Sequence, residues 1–272
     1  MTVSRRFGAY DVTIFIDGVY KAPVAHLAHA QSDARRDAAV EAWGRPTVDM
    51  DVNFFALAGP DGLMLVDAGT GPFWGPGLGH GRTAMAQAGI APADVRRVLL
   101  THLHGDHALG LFEETEPFFP EAEIFVPAVD LAFFTDLAAK ETVPAIRRGG
   151  FDIAARLLDL YGDRVTRIGE GPVLPEIEAI AMPGHTPGHS GYLVGTGPER
   201  LVLWGDLFHT PDLQLADPDI CFIYDADAAL GAHSRRAILR RAAREGWSAS
   251  GGHVSGFVRV EPAGETFRFV PV

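Results

Sequence analysis

The chain of 272 residues holds one cysteine, Cys221, so no disulfide can form within it. Cys221 reads as a small buried hydrophobe rather than a ligand. Basic residues are few beside acidic ones, 23 Lys and Arg against 35 Asp and Glu, for a formal net charge of −12. That deficit argues against a nucleic-acid partner, which needs clustered cations. The one dense basic run, Arg235-Arg236 with Arg240, Arg241 and Arg244, has helical spacing and reads as a solvated helix face. No apolar run approaches the roughly 18 uncharged residues of a membrane helix. The stretch Met1–Tyr10 carries Arg5 and Arg6 but no apolar core of a secretory leader. A cytoplasmic protein without membrane contact is the expectation. There is no low-complexity segment, no flexible linker, no G-x-S-x-G nucleophile elbow and no well-placed Cys nucleophile.

What is present is apolar: 47% of the residues, enough for one large domain or two small ones. Tyr10–Gly18 alternates apolar and polar residues and is expected to turn at Asp17-Gly18. Residues 22–50 read as a long Ala- and His-rich arm with one helix near 31–42. A hairpin is expected from Val52–Leu57 and Gly62–Asp67. Residues 69–81, with six glycines, read as a loop. Helices are expected over 82–88, 128–140, 142–160 and 226–245. Strands are expected over 95–100, 124–126, 165–168, 177–182, 190–194, 201–204, 248–253 and 256–270. The 128–160 helices read equally as a lid or as a surface helical hairpin. Two runs of strands, each followed by helices, imply an α+β fold of two sheets with helices outside. The halves are expected to meet near residue 165 within a single domain spanning 1–272.

The densest chemical signal is Thr101-His102-Leu103-His104-Gly105-Asp106-His107, which sets three imidazoles and a carboxylate within six positions. These donors suit zinc and similar divalent ions. On a helix, His102 and His104 would point about 200° apart. They converge only where a strand ends in a turn, here after Val95–Leu100. Three further candidates follow, each just after a glycine that lets the backbone turn sharply: His185, Asp206 and His253. Seven donors suffice for two metals. His102, His104 and His185 would serve one; Asp106, His107 and His253 the other. Asp206 would bridge them, with a shared hydroxide between metals ~3.5–4 Å apart. The resulting charge of about +1 would favour a developing oxyanion.

The remaining histidines divide. His189 reads as a positioning or strand-capping residue, His209 as either pocket lining or surface, and His26, His29, His80 and His233 as structural or solvated. Phe54, Phe55, Phe73 and Trp74 are candidates for an acyl-binding wall, with an ordinary core role equally open for the first two.

The order of these motifs, His-x-His-x-Asp-His, then Gly-His, Gly-Asp and a final Gly-His, resembles the metallo-β-lactamase superfamily across residues 10–270. The resemblance implies a four-layer αβ/βα sandwich with a metal site at one edge of both sheets. It implies the same seven ligands, His102, His104, Asp106, His107, His185, Asp206 and His253. It also places Asp67 where it would orient a ligand histidine. A narrower resemblance is to the branch of methyl parathion hydrolase and related lactonases. It rests on Phe7–Thr13 with Asp17-Gly18, on Phe119-Pro120-Glu121-Ala122, on Trp204–His209 and on Tyr224-Asp225-Ala226-Asp227. That branch implies a small lactone or carboxylic ester as substrate, with weaker phosphotriester cleavage, and a homodimer through the arm. In homoserine-lactone lactonases, a tyrosine three residues after the bridging Asp assists the leaving group. Here that position is His209, a departure from the pattern: His209 either contacts substrate or a positioning partner, or it or Asp106 protonates the leaving alkoxide. Two divalent metal ions are the expected cofactors, zinc first, with Mn, Co or Fe also compatible.

Rivals share these ligands. Glyoxalase II-like thioesterases normally add a C-terminal helical domain, RNA-processing relatives want a basic surface, and secreted β-lactamases carry a leader. A different class is an iron-dependent sulfur dioxygenase or oxygen reductase, which iron content and colour would distinguish. A binding module without turnover would have been free to lose ligands.

Overall fold

The computed structural model describes residues 3–272. Met1 and Thr2, the first residues of the stretch inspected for a leader, lie outside the described residues.

Along the central strands, alternate side chains enter different cores, and this alternation builds the layers. The first sheet is formed by β1 (Val3–Phe7), β2 (Tyr10–Pro23), β4 (Thr47–Gly59), β5 (Gly62–Val66), β6 (Val95–Leu99), β7 (Glu123–Pro127) and β8 (Val165–Ile168), adjacent in that order. Between β2 and β4 lie β3 (Leu27–His29) and helix α1 (Asp33–Trp43). Helices α2 (Gly81–Gln87), α3 (Gly105–Ala108), α4 (Ala128–Thr135), α5 (Leu137–Thr142) and α6 (Gly149–Tyr161) interrupt the later strands. The second sheet comprises β9 (Gly171–Leu174), β10 (Ile177–Ala181), β11 (Ser190–Val194), β12 (Leu201–Leu203), β14 (Ser248–Gly251), β15 (Val254–Ala263) and β16 (Thr266–Pro271). Between β12 and β14 come α7 (Pro211–Gln214), β13 (Ile220–Phe222) and the long α8 (Ala228–Glu245). The chain passes from one sheet to the other between Ile168 and Gly171.

On β4, Phe55 and Leu57 point between the sheets, where Val12, Ile14, Tyr192, Val194 and Leu203 meet them. Phe54 and Ala56 point outward beneath α2, α4 and α6, among Phe15, Phe134 and Leu157. On the second sheet, Leu193 and Val202 face outward with Trp204 to meet Ile238 and Leu239 of α8. Two sheets flanked by helices give a four-layer αβ/βα sandwich, the architecture that the resemblance implies. Each large apolar side chain so buried contributes ~1.5–3 kcal/mol. No helix among the described residues is long and apolar enough to cross a membrane.

Several local expectations are corrected. Asp17-Gly18 is not a turn: β2 continues to Pro23 across a bulge between Ile16 and Gly18. The buried Asp17 carboxylate instead accepts the Thr70, Gly79 and Gly81 N–H groups and the Thr70 hydroxyl, anchoring the 69–81 loop. The arm is shorter than 22–50, because both ends pair as β2 and β4. The helices expected over 128–140 and 142–160 are broken. Asp136 ends α4 and caps α5 through the Ala138 and Ala139 N–H groups, and Pro144 begins a short irregular turn. The strand expected over 256–270 is a hairpin turning between Ala263 and Thr266. Phe54 and Phe55 are core residues, which removes them from an acyl wall.

Candidate metal centre

The site gathers where the parallel strands of each sheet end. Asp67 follows β5, the histidine loop follows β6, and these strands run parallel. In the other sheet β12 and β14 also run parallel, which brings Asp206 and His253 side by side. Two glycines are required by close approach. Gly205 has φ 51°, and a Cβ there would stand 2.6 Å from His189 Nε2; one on Gly252 would stand 2.7 Å from Asp206 Oδ1.

The seven expected ligands all converge. His102, His104 and His185 form one group of donor atoms, and Asp106, His107, Asp206 and His253 another. The Asp206 carboxylate spans them. Its Oδ1 lies 2.9 Å from His107 Nε2, and its Oδ2 lies 3.2 Å from His253 Nε2, 3.3 Å from His185 Nε2 and 3.8 Å from His102 Nε2. His104 Nδ1 stands 2.8 Å from His185 Nε2.

The opposite ring nitrogens fix which atoms face inward. The Thr101 hydroxyl donates to Asp67, so it accepts from His102 Nδ1 at 3.0 Å. His107 Nδ1 donates to Asp67 Oδ2 (2.8 Å), His185 Nδ1 to Asp225 Oδ1 (2.6 Å) and His253 Nδ1 to the Asp51 carbonyl (2.5 Å). Each of these four rings therefore presents its Nε2 to the centre. His102 Nε2, His107 Nε2 and Asp206 Oδ1 are buried without a hydrogen-bond partner. Buried imidazole and carboxylate atoms left without hydrogen bonds are the donor type that fits a divalent metal.

His189 is a positioning residue, as the sequence reading has it. Its Nδ1 donates to the Met182 carbonyl and its Nε2 accepts the Asp206 N–H at 2.9 Å, so neither nitrogen is left for a ligand. His209 is not on the surface: it is buried, stacks on His253, and Nε2 lies 3.4 Å from Asp206 Oδ2. Both its ring nitrogens lack hydrogen bonds. Asp67 adopts φ 61°, a left-handed backbone uncommon outside glycine, while serving Thr101 and His107 together.

Two acids carry functions that the sequence reading left unassigned. Asp225 sits inside the Tyr224–Asp227 motif without a stated role, and it holds His185. Asp130, inside α4, accepts the Leu103 N–H at 3.0 Å and the Gly188 N–H at 2.8 Å, tying the histidine loop to the His185 loop. Burial pushes its carboxyl up to about 6. Apolar α4 neighbours offered no hint of that link. Cys221 is buried as expected, its thiol pushed up to about 12 by burial.

The two groups differ in charge. In the first group, burial holds His102 well below its ordinary value and His104 down at about 3, so these two rings are neutral. In the second, burial opposes charge but loses to the carboxylates. Asp206, Asp106 and Asp67 hold His107 well above its ordinary value, and Asp206 and Asp106 raise His253 to about 9. Reciprocally, burial alone would raise Asp106, but His107 brings it to about 2. The metal-free protein is therefore stabilised by the His253 ion pair. That stabilisation is complete below pH 6.5 and is lost as pH rises through about 9. Metal binding needs neutral imidazoles, so filling the second group at pH 7 releases the protons of His107 and His253. Zinc titration calorimetry in buffers of different ionisation enthalpy is expected to show release of about two protons. A buffer-independent enthalpy would contradict this charge assignment.

The sequence profile of the metallo-β-lactamase superfamily matches residues 48–247. The chain belongs to this superfamily. A probable metallo-hydrolase of Mycobacterium tuberculosis is 27% identical over 215 residues, which covers 68% of this chain and 65% of that protein. The chain thus spans just under two thirds of the length of that curated relative. Among solved structures, the hydrolase AbOPH of the β-lactamase superfamily superposes with TM-score 0.88 at 22% identity, covering 100% of this chain and 97% of that one. AidC, a dizinc quorum-quenching lactonase, superposes with TM-score 0.87 at 21% identity over 100% and 97%. At these identities the likenesses speak for the superfamily's fold.

Proposed function

We propose that this superfamily member is a binuclear metal-dependent hydrolase of lactones or carboxylic esters, of the methyl parathion hydrolase and lactonase kind, with phosphotriester cleavage as a side activity. The observation that carries the proposal is Asp206, whose carboxylate reaches histidines of both donor groups, Oδ1 facing His107 and Oδ2 facing His253 and His185, beside a cavity. His102, His104 and His185 would hold one divalent ion, Asp106, His107 and His253 the other, and Asp206 both; zinc suits the donors best, with Mn, Co and Fe compatible. Metals there would polarise the scissile carbonyl and lower the pKa of water from ~15.7 toward ~7.

The chain's own groups supply the rest. Asp67 and Asp225 keep the His107 and His185 rings oriented through their Nδ1 protons. Asp106 and His209 both line the cavity that reaches Asp206; His209 is placed to meet the leaving oxygen, and Asp106, ionised with its carboxyl at about 2, can pass on a proton only after taking one from the attacking water. Burial lowers His209, which leaves it a neutral imidazole able to donate its one N–H as a hydrogen bond to the leaving oxygen. Trp74 and Tyr224 line the cavity, and the 128–160 segment supplies Ile146 and Arg147 to its wall. A small-molecule substrate rather than nucleic acid, and a homodimer through the 20–50 segment, belong to the same proposal; the net charge of −12 supports the first.

A panel of small lactones, alkyl esters and aryl esters tests this. Turnover is expected in metal-loaded protein and none after chelation; equal rates with and without chelator would overturn it. His209→Phe is expected to slow alkyl esters about 10²-fold and aryl esters far less, because only a poor leaving group needs its N–H. Equal rates for both variants on both ester types would remove His209 from the reaction.

A further inference from the structure

Three cavities, of about 430, 230 and 270 Å³, meet beside the histidine cluster, and only His104 and Arg147 line all three. Arg147 ends the short turn that follows Pro144. Its Nη1 donates to the Asp225 carbonyl at 2.7 Å. Its Nε is buried without a partner. Among the described residues it forms no ion pair, although the chain carries a formal charge of −12. The acids nearest in sequence to the Asp225 carbonyl each have one oxygen engaged elsewhere, with Asp225 Oδ2 left without a partner. Asp225 accepts from His185 at 2.6 Å, and Asp227 caps α8 through the Leu230 N–H at 2.9 Å. The largest of the three cavities has an apolar side walled by Phe133, Phe134, Val143, Pro144 and Leu230, with His104, His185 and Asp227 also in its lining.

An unpaired guanidinium half-buried at the junction of these cavities is a receptor for a carboxylate, which it meets with parallel N–H donors. We infer that Arg147 is the specificity-determining residue of this site, selecting esters or lactones that carry a carboxylate apart from the scissile bond, with an apolar remainder in the 430 Å³ cavity. This rests on the hydrolase reading above. The pin to the Asp225 carbonyl fixes the guanidinium through Nη1, and the Nη2 N–H groups are left for the substrate.

The test compares half-esters of dicarboxylic acids, of increasing chain length, with the matching neutral methyl esters, using as-purified protein. Wild type is expected to favour the anionic ester at one chain length, and Arg147→Met to lower that preference ratio by about 10- to 100-fold. Arg147→Lys, which keeps the charge without the fork, is expected to retain part of the ratio and guards against a folding defect. Glutarate binding by calorimetry gives a readout apart from turnover: wild type is expected to bind at least about tenfold more tightly than Arg147→Met. An unchanged ratio together with equal glutarate affinity would reduce Arg147 to a structural pin. Absence of hydrolysis of every ester, with the glutarate difference intact, would sink the hydrolase reading while leaving the carboxylate role standing.

Discussion

Asp206→Ala is expected to lower kcat on a small lactone by about 10³-fold or more, since several kcal/mol of charge stabilisation depend on the ions this carboxylate would share. The effect follows from its position. Its carboxylate reaches both donor groups: Oδ1 addresses His107 and Oδ2 addresses His253, His185 and His102. Metal content should fall with the rate. His253→Ala makes the useful contrast, because it removes a donor from the second group and leaves His102, His104 and His185 intact. Its protein is expected to keep about one ion per chain where wild type keeps about two. Elemental analysis of the three proteins beside kcat decides the matter. Full metal content and full activity in both variants would contradict the shared-carboxylate arrangement.

Asp67→Asn is the second large expectation. Asp67 is buried and accepts from the Thr101 N–H, the Thr101 hydroxyl and His107 Nδ1. Through Thr101 it also sets the tautomer of His102. One residue thus orients a histidine in each donor group. Asparagine tolerates the left-handed backbone at φ 61°, so this variant tests the side chain without straining the main chain. The amide cannot accept as many protons, and metal affinity is expected to fall about 10- to 100-fold. Asp67→Ala adds backbone strain and buried donors left unpaired, for a stability loss of about 3–5 kcal/mol. Chelator competition reads the first effect and thermal unfolding of metal-free protein the second. Unaltered affinity in Asp67→Asn would show that the rings are oriented by packing alone.

The site was legible where its donors lie close in sequence. His102, His104, Asp106 and His107 fall in one loop because a parallel strand delivers a short turn to the sheet edge, and glycine marks the later positions beside a crowded centre. The layers were legible from alternation, as in Phe54 outward and Phe55 inward on β4. What failed was side-chain partnership across long separations. Asp17-Gly18 has turn chemistry, but its carboxylate is spent on the 69–81 loop and the strand runs on. Asp130 looks like any helical acid until Leu103 and Gly188 are found donating to it. Pairing of β3 with β13 spans only Leu27–His29 and Ile220–Phe222, too short to show a period. His209 was ambiguous for the same reason: nothing local says that it stacks on His253.

Metal content per chain of the as-purified protein, measured beside hydrolysis of the lactone and ester panel with and without chelator, tests the central claim most directly. The arrangement around Asp206 predicts about two zinc-like ions per chain and turnover that vanishes when they are removed. A single iron with no hydrolysis of any lactone or ester would contradict it and point to oxygen or sulfur chemistry on the same ligands.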